Sequence, residues 1–244
     1  MFSSSAYKTI LSLFLGFFFF SVASFYFLVE YFRDLPELYV GELARGEVEI
    51  VVPEGFTARQ VEERLIANGF TNIFEGSLVG LGVEGYLFPD TYRMFNYFSP
   101  EDVAGKMMNR FAEKVGEAKS EDIILASIVQ KEIYGFTNMR KVAGIFKKRL
   151  KAGMRLQADS TVNFLTGKSD SRASLSDTKI DSLYNTYASN GLPPGPISNP
   201  GLDAIKATQS PIETPYWFFL TTPQGKIVYS RNFDEHKRNK AKYY

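Results

Sequence analysis

The residue types that could do chemistry in this 244-residue chain are limited. The chain has no cysteine and a single histidine, His236, which excludes thiol nucleophiles, Cys-ligated zinc and paired-histidine metal sites. A Ser-His-Asp arrangement would have to use His236. The chemistry must therefore rest on carboxylates, hydroxyls, amides, lysines or arginines.

Glu132 is the carboxylate whose sequence context favours catalysis. The segment EDIILASIVQKEI, which follows Ser120, has the apolar period of a helix, and we expect Ser120 to cap it. At 100° per residue, the face that holds Glu132 also holds Leu125, Ile128 and Val129. A carboxyl on an apolar face loses hydration, which raises its pKa and suits it to general acid catalysis. Alternatively, Glu132 lies in the last turn and reaches solvent or pairs with a basic side chain.

Four segments of the chain together resemble the endolytic murein transglycosylase family (MltG, YceG-like). They are EGYLFPDTY, ASIVQKE, RLKAGMRLQADSTV and YNTYASNGLPPGPISNPG. The resemblance covers about residue 48 to the C-terminus and implies that Glu132 is the catalytic glutamate. It also implies a set of substrate-binding residues in two loops: Gln157, Asp159, Thr161, Tyr184, Asn185 and Tyr187.

The chain departs from the family pattern at three positions. Ser160 stands where the family usually has proline, Phe164 where tyrosine is common, and Gln130 where a first glutamate is frequent. Because Gln130 is neutral, Glu132 is the one carboxylate of its motif.

The resemblance implies a lytic transglycosylase that cleaves the MurNAc-GlcNAc β-1,4 bond of nascent glycan strands and leaves 1,6-anhydro ends. It implies that the reaction needs no cofactor and no metal, and that the protein works beside peptidoglycan synthases. Two alternatives stay open: a hydrolase acting on the same glycan, and a membrane-anchored glycan-binding scaffold that has lost activity. The nearly balanced charge, 28 basic against 27 acidic residues, disfavours nucleic acid as a partner.

The expected fold is α+β, in a membrane-anchored chain. Residues 9–29 carry no charge and are long enough for a transmembrane helix, although a cleaved signal peptide is the alternative. Residues 1–8 would be cytoplasmic and 30–45 a linker, with the bulk of the chain outside the bacterial inner membrane. We expect a small βαβ subdomain at 46–80, which the resemblance identifies as LysM-like, followed by a mixed α+β catalytic domain at 81–244. The subdomain is expected to tether glycan rather than to catalyse.

Overall fold

The computed structural model describes residues 46–168 and 173–244. Within these ranges the chain has the mixed α+β architecture expected from its sequence. The elements in chain order are β1 (Glu47–Val51), α1 (Ala58–Ala67), β2 (Thr91–Phe95), α2 (Pro100–Val115), α3 (Ser120–Glu132), α4 (Phe136–Lys151), α5 (Asp159–Thr166), α6 (Leu202–Gln209), β3 (Phe218–Thr221), β4 (Ile227–Ser230) and α7 (Phe233–Tyr243).

The predicted transmembrane segment at 9–29 lies outside the described residues, as do its flanks at 1–8 and 30–45. Among the helices of the described ranges, none is both long enough and apolar enough to cross a bilayer. The anchor therefore stays a prediction.

One hydrophobic cluster forms around the sheet in which β1 pairs with β2. Helix α1 begins with a capping box, in which Thr57 accepts from the Gln60 backbone N–H and the Gln60 side chain accepts from the Thr57 N–H. Its buried side chains Val61 and Leu65 pack into the same cluster as Val103 and Met107 of α2. Residues on both sides of position 80 thus share this core, and the predicted boundary there stays a prediction.

A second cluster surrounds α3, which packs against α4, α5 and α6. Every residue from Ile123 to Gln130 is buried, so α3 is enclosed on all sides along this stretch. Lys119, rather than Ser120, is the N-cap residue of α3. Because the enclosed stretch ends at Gln130, Glu132 lies at the edge of the core and is partly buried.

The C-terminal part of the fold is an antiparallel hairpin followed by a helix. In the hairpin, β3 pairs with β4 so that Phe218 faces Ser230 and Thr221 faces Ile227. Phe219 of β3 packs edge-on against Phe146 of α4, with ring centroids 5.8 Å apart. The hairpin thereby closes one side of the helical core, beside the segment that leads into α5.

Candidate active site

Glu132 is the last residue of α3, and its carboxylate meets the start of α5. Its Oε1 accepts a hydrogen bond from the Ser160 hydroxyl at 2.7 Å and another from the Ser160 backbone N–H at 3.3 Å. The residue is partly buried, and the chain turns to an extended conformation at Ile133 directly after it. The carboxyl is therefore fixed by protein donors at the edge of the core.

The pKa of the Glu132 carboxyl lies above its ordinary value, chiefly because burial penalises the charged form. The two hydrogen bonds from Ser160 favour the charged form and oppose this rise. The negative charge of Asp159 adds to it. A carboxyl with a raised pKa keeps more of its proton at neutral pH, which suits a general acid.

Asp159 and Tyr187 form the second part of the site. The Tyr187 hydroxyl donates to Oδ1 of Asp159 at 2.6 Å. The pKa of Tyr187 is raised by burial, by this hydrogen bond and by the charges of Asp159 and Glu132. The structure therefore brings together Glu132, Asp159 and Tyr187, three of the residues predicted from sequence.

Gln157 is exposed and lies in a strained turn just before α5. Its φ of 51° is the one positive value among the non-glycine residues that the structure describes. Its N–H donates to the Thr186 carbonyl at 3.1 Å, and the next N–H, of Ala158, donates to the Thr186 hydroxyl at 3.0 Å. These bonds hold the turn that leads into Asp159 and Ser160.

Arg149 supports the same turn from α4. This buried side chain donates from Nη1 to the Leu156 carbonyl at 2.7 Å and from Nε to the Trp217 carbonyl at 2.8 Å. Its guanidinium also lies 4.8 Å from the ring centroid of Phe218. Arg149 thus ties the segment before Gln157 to the hairpin, a role that its position in a basic stretch of sequence did not reveal.

Thr161 and Asn185 are buried beneath the surface that holds Asp159 and Tyr187. The Thr161 hydroxyl donates to the Ala158 carbonyl at 2.8 Å and lies 2.9 Å from the Thr186 hydroxyl. The Asn185 Nδ2 donates to the Ile180 carbonyl at 2.7 Å, and its Oδ1 accepts from the Tyr187 N–H at 3.0 Å. Thr161 joins the start of α5 to the loop that holds Thr186, whereas Asn185 braces residues 180–187 of that same loop. The contact of both side chains with substrate stays a prediction.

Tyr184 lies apart from the Glu132 contacts. Its ring packs against Phe164, with centroids 5.3 Å apart. Burial raises the pKa of Tyr184, and the charge of Glu84 raises it further. Tyr184 is therefore placed toward Glu84, a carboxylate in the EGYLFPDTY segment.

Sequence reasoning did not select two residues that act on the predicted site residues: Ser160, which contacts Glu132, and Glu84, whose charge acts on Tyr184. Ser160 appeared only as a departure from a family pattern, yet it is the donor that contacts Glu132. Glu84 carries the second raised pKa among the described carboxylates, at about 7, because it is buried. The described residues contain no group of three or more His, Asp or Glu side chains placed to hold a metal ion.

Comparisons with known proteins agree on one family. The model of the YceG-like family matches residues 35–242. The endolytic murein transglycosylase of Bacillus subtilis is 38% identical over 173 residues, which cover 66% of this chain and 48% of that protein. The enzyme of the same name from Streptococcus pneumoniae serotype 2 is 29% identical over 228 residues, or 84% of this chain and 41% of that protein. The chain thus spans less than half the length of these curated relatives.

A solved structure is also similar to this chain. The crystal structure of a yceG-like protein from Listeria monocytogenes superposes with a TM-score of 0.68 at 28% sequence identity. The match covers 78% of this chain and 75% of that one. The fold described above is therefore shared with an experimentally determined relative.

Proposed function

The chain belongs to the YceG-like family, and from that membership we propose that it is an endolytic lytic transglycosylase of peptidoglycan. It cuts the β-1,4 bond between N-acetylmuramic acid and N-acetylglucosamine within a strand and leaves a 1,6-anhydro end. The observation that carries the proposal is the partly buried Glu132 carboxyl, which has a raised pKa and is fixed by Ser160. The name of the Bacillus subtilis and Streptococcus pneumoniae relatives supports the reaction class.

In the first step, Glu132 acts as a general acid. Its proton passes to the glycosidic oxygen while the bond from that oxygen to C1 of the muramoyl residue breaks. The sugar then carries oxocarbenium character, and Glu132 is left as a carboxylate. Asp159 is a negative charge close to this carboxylate and can also stabilise positive charge that develops on the sugar.

In the second step, the Glu132 carboxylate acts as the base. It takes the proton of the muramoyl 6-hydroxyl, whose oxygen bonds to C1 and closes the 1,6-anhydro ring. The proton from the 6-hydroxyl replaces the one that Glu132 gave to the leaving oxygen, so the glutamate is restored and the cycle consumes no water. Because the nucleophile belongs to the substrate, a single carboxyl suffices, whereas a hydrolase of the usual kind uses two.

A hydrolase acting on the same glycan is the second candidate, and one observation favours it. Asp159 is close enough to Glu132 to raise its pKa. A nearby carboxylate could activate water in place of the 6-hydroxyl. The end left on the product separates the two reactions, since hydrolysis leaves a reducing muramic acid.

We place this activity outside the bacterial cell membrane. Residues 9–29 would be a single-pass anchor in the inner membrane, by their length and lack of charge. The substrate is then the glycan of nascent peptidoglycan, and the partners are the synthases that extend it. A cut within a new strand would end its elongation.

Glu132→Gln tests the assignment. Glutamine keeps the size of the side chain but cannot donate and recover a proton, so we expect a rate loss of about 10²–10⁴-fold. The measurement is mass spectrometry of the ends released from purified glycan strands, with equal amounts of folded wild type and variant. The control is Glu121→Gln in the first turn of α3, where an exposed carboxylate is neutralised and activity should be unchanged.

The products distinguish the candidate functions. Anhydro ends from the wild type and almost none from Glu132→Gln support the lytic reaction. Reducing ends that depend on Glu132 would instead assign a hydrolase. Binding of strands with no new ends would leave the scaffold alternative.

A further inference from the structure

The two donors of Ser160 converge on one oxygen of the Glu132 carboxyl. The Ser160 hydroxyl and N–H both end on Oε1, and Oε2 accepts no hydrogen bond from any residue that the structure describes. Ser160 is the second residue of α5, and N–H groups in the first turn of a helix have no partner within the helix. The Ser160 N–H is therefore available to the carboxyl, in addition to the Ser160 hydroxyl.

This arrangement makes the two carboxyl oxygens unequal. An oxygen that already accepts from two donors is a poor place for the acid proton, because the proton would face another hydrogen. In the neutral acid the proton then resides on Oε2, and this oxygen is left to meet the glycosidic oxygen. The side chain is also held in one orientation, which matters because misplacement of a catalytic group is costly.

The groups around Glu132 act on its carboxyl in both directions. Asp159 of α5 disfavours the carboxylate, and Tyr187 of the facing loop is bonded to that aspartate. Arg149 of α4 acts on Tyr187, and Lys131 precedes Glu132 on α3. Asp203 and Lys206 of α6, which also packs on α3, are not among the main causes of the shift at Glu132. Ser160 is the neighbour whose hydrogen bonds favour the carboxylate.

We propose that Ser160 is a positioning residue that fixes Oε1 of Glu132 and assigns Oε2 as the oxygen that carries the proton. The proposal rests on the proposed function, in which Glu132 is the acid and the base. Proline, which the resemblance leads one to expect at position 160, would have neither a hydroxyl nor an N–H to donate.

The test compares Ser160→Ala with Ser160→Thr. Alanine removes the hydroxyl, so the Glu132 pKa should rise by about one unit, because a hydrogen bond to a charged group is lost. The acid must be protonated, so kcat/KM falls as pH rises through this pKa. The alkaline limb of the profile should therefore move up by about one pH unit, while the rate at the optimum drops about 3- to 10-fold from lost orientation. Threonine keeps the hydroxyl and should restore both properties.

A second readout does not depend on turnover. The carboxyl of Glu132 can be followed by 13C NMR titration in the wild type and in Ser160→Ala, with Glu132→Gln identifying the signal. A higher pKa in Ser160→Ala supports the proposal even if the wild type makes no anhydro ends, in which case only the proposed function fails. An unchanged titration and an unchanged alkaline limb, with or without a lower melting temperature, would overturn the positioning role.

Discussion

At the scale of single residues, two neighbours in sequence act on the same carboxyl with opposite sign. Asp159 and Ser160 both lie in the first turn of α5, which meets the end of α3. The charge of Asp159 disfavours the ionised form of Glu132, whereas the donors of Ser160 favour it. The acid strength of Glu132 is therefore adjusted by one helix end as well as by burial.

Asp159→Asn should shift the activity profile in the direction opposite to Ser160→Ala. Asparagine removes the negative charge but keeps an oxygen that can accept from the Tyr187 hydroxyl. Without the charge, the pKa of Glu132 falls, so the protonated acid is lost at a lower pH. We expect the alkaline limb of kcat/KM to move down by a few tenths of a unit to about one unit. The measurement is the initial rate of anhydro-end release between pH 4 and 9.

The matched control for this shift is Asp203→Asn, which removes an exposed charge from α6 and should leave the profile in place. An upward shift in Asp159→Asn, or equal shifts in both variants, would contradict the assignment of Asp159 as the charge that acts on Glu132.

The sequence predicted part of this site and missed part of it, for physical reasons. Helical periodicity placed Glu132 on an apolar face, but α3 is buried all round from Ile123 to Gln130, so burial of one face is not what distinguishes Glu132. Its distinguishing feature is its place at the helix end, next to Ser160. That contact joins residues 28 positions apart, so no local sequence pattern predicts it.

At the scale of elements, Glu84 connects three segments of the fold. Its Oε2 accepts from the Ala58 N–H at the start of α1 at 2.9 Å, and its Oε1 accepts from Nδ2 of Asn199 at 3.2 Å. Asn199 in turn accepts at Oδ1 from the N–H groups of Gly85 and Leu87, both at 2.9 Å. A Cβ on Gly85 would lie 2.4 Å from Pro196, so this close approach requires glycine. The EGYLFPDTY segment, α1 and the YNTYASNGLPPGPISNPG segment, which holds Asn199, thus meet at one carboxylate.

Glu84 should make folding stability depend on pH. Burial raises its pKa from 4.5 to about 7, so the folded protein keeps a proton that the unfolded chain loses between these values. The contribution of Glu84 to the free energy of unfolding is then greatest below pH 4.5 and falls as the pH rises toward 7. Above pH 7 this contribution no longer changes. The contribution is at most about 3 kcal/mol. In Glu84→Gln, which cannot ionise, we expect this part of the decline to disappear.

Urea unfolding at several pH values between 4 and 8 measures the effect. The difference in the free energy of unfolding between Glu84→Gln and wild type should grow in favour of the variant as pH rises. Glu117→Gln, which changes an exposed carboxylate after α2, should run parallel to the wild type. Parallel curves for Glu84→Gln as well would show that Glu84 ionises normally in the folded protein.

Element ends were predictable where the signal is local. Thr57 and Ser99 each begin a capping box and Asn232 caps α7, and each cap joins residues only three positions apart. The expectation that Ser120 caps α3 was wrong by one position. Within residues 84–95, only Thr91–Phe95 form a strand, and the N–H groups of Gly85 and Leu87 are bonded to Asn199 instead of to a neighbouring strand.

At the scale of the whole molecule, the residues predicted as a separate small subdomain share a core with the rest. Residues 48–244 form one compact unit. Eight buried side chains between 46 and 80 pack in the same cluster as residues of β2 and α2; they are Ile50, Val52, Ala58, Val61, Leu65, Phe70, Ile73 and Leu78. The backbones of Gly55 and Phe56 also exchange hydrogen bonds with Asn199, at 2.8 and 2.7 Å.

This shared core predicts that the fragment 81–244 does not fold stably without residues 46–80. Burial of one large aliphatic or aromatic side chain contributes about 1.5–3 kcal/mol, and whole domains are stable by only about 5–15 kcal/mol. Seven of the eight side chains are large, so their loss removes burial comparable with the whole stability of the domain and exposes the side chains of β2 and α2 that they cover. We expect the fragment 46–244 to melt cooperatively by circular dichroism and to release anhydro ends, and the fragment 81–244 to do neither. Cooperative melting of 81–244 with activity that Glu132→Gln abolishes would contradict this, and would instead support a subdomain that only tethers the glycan.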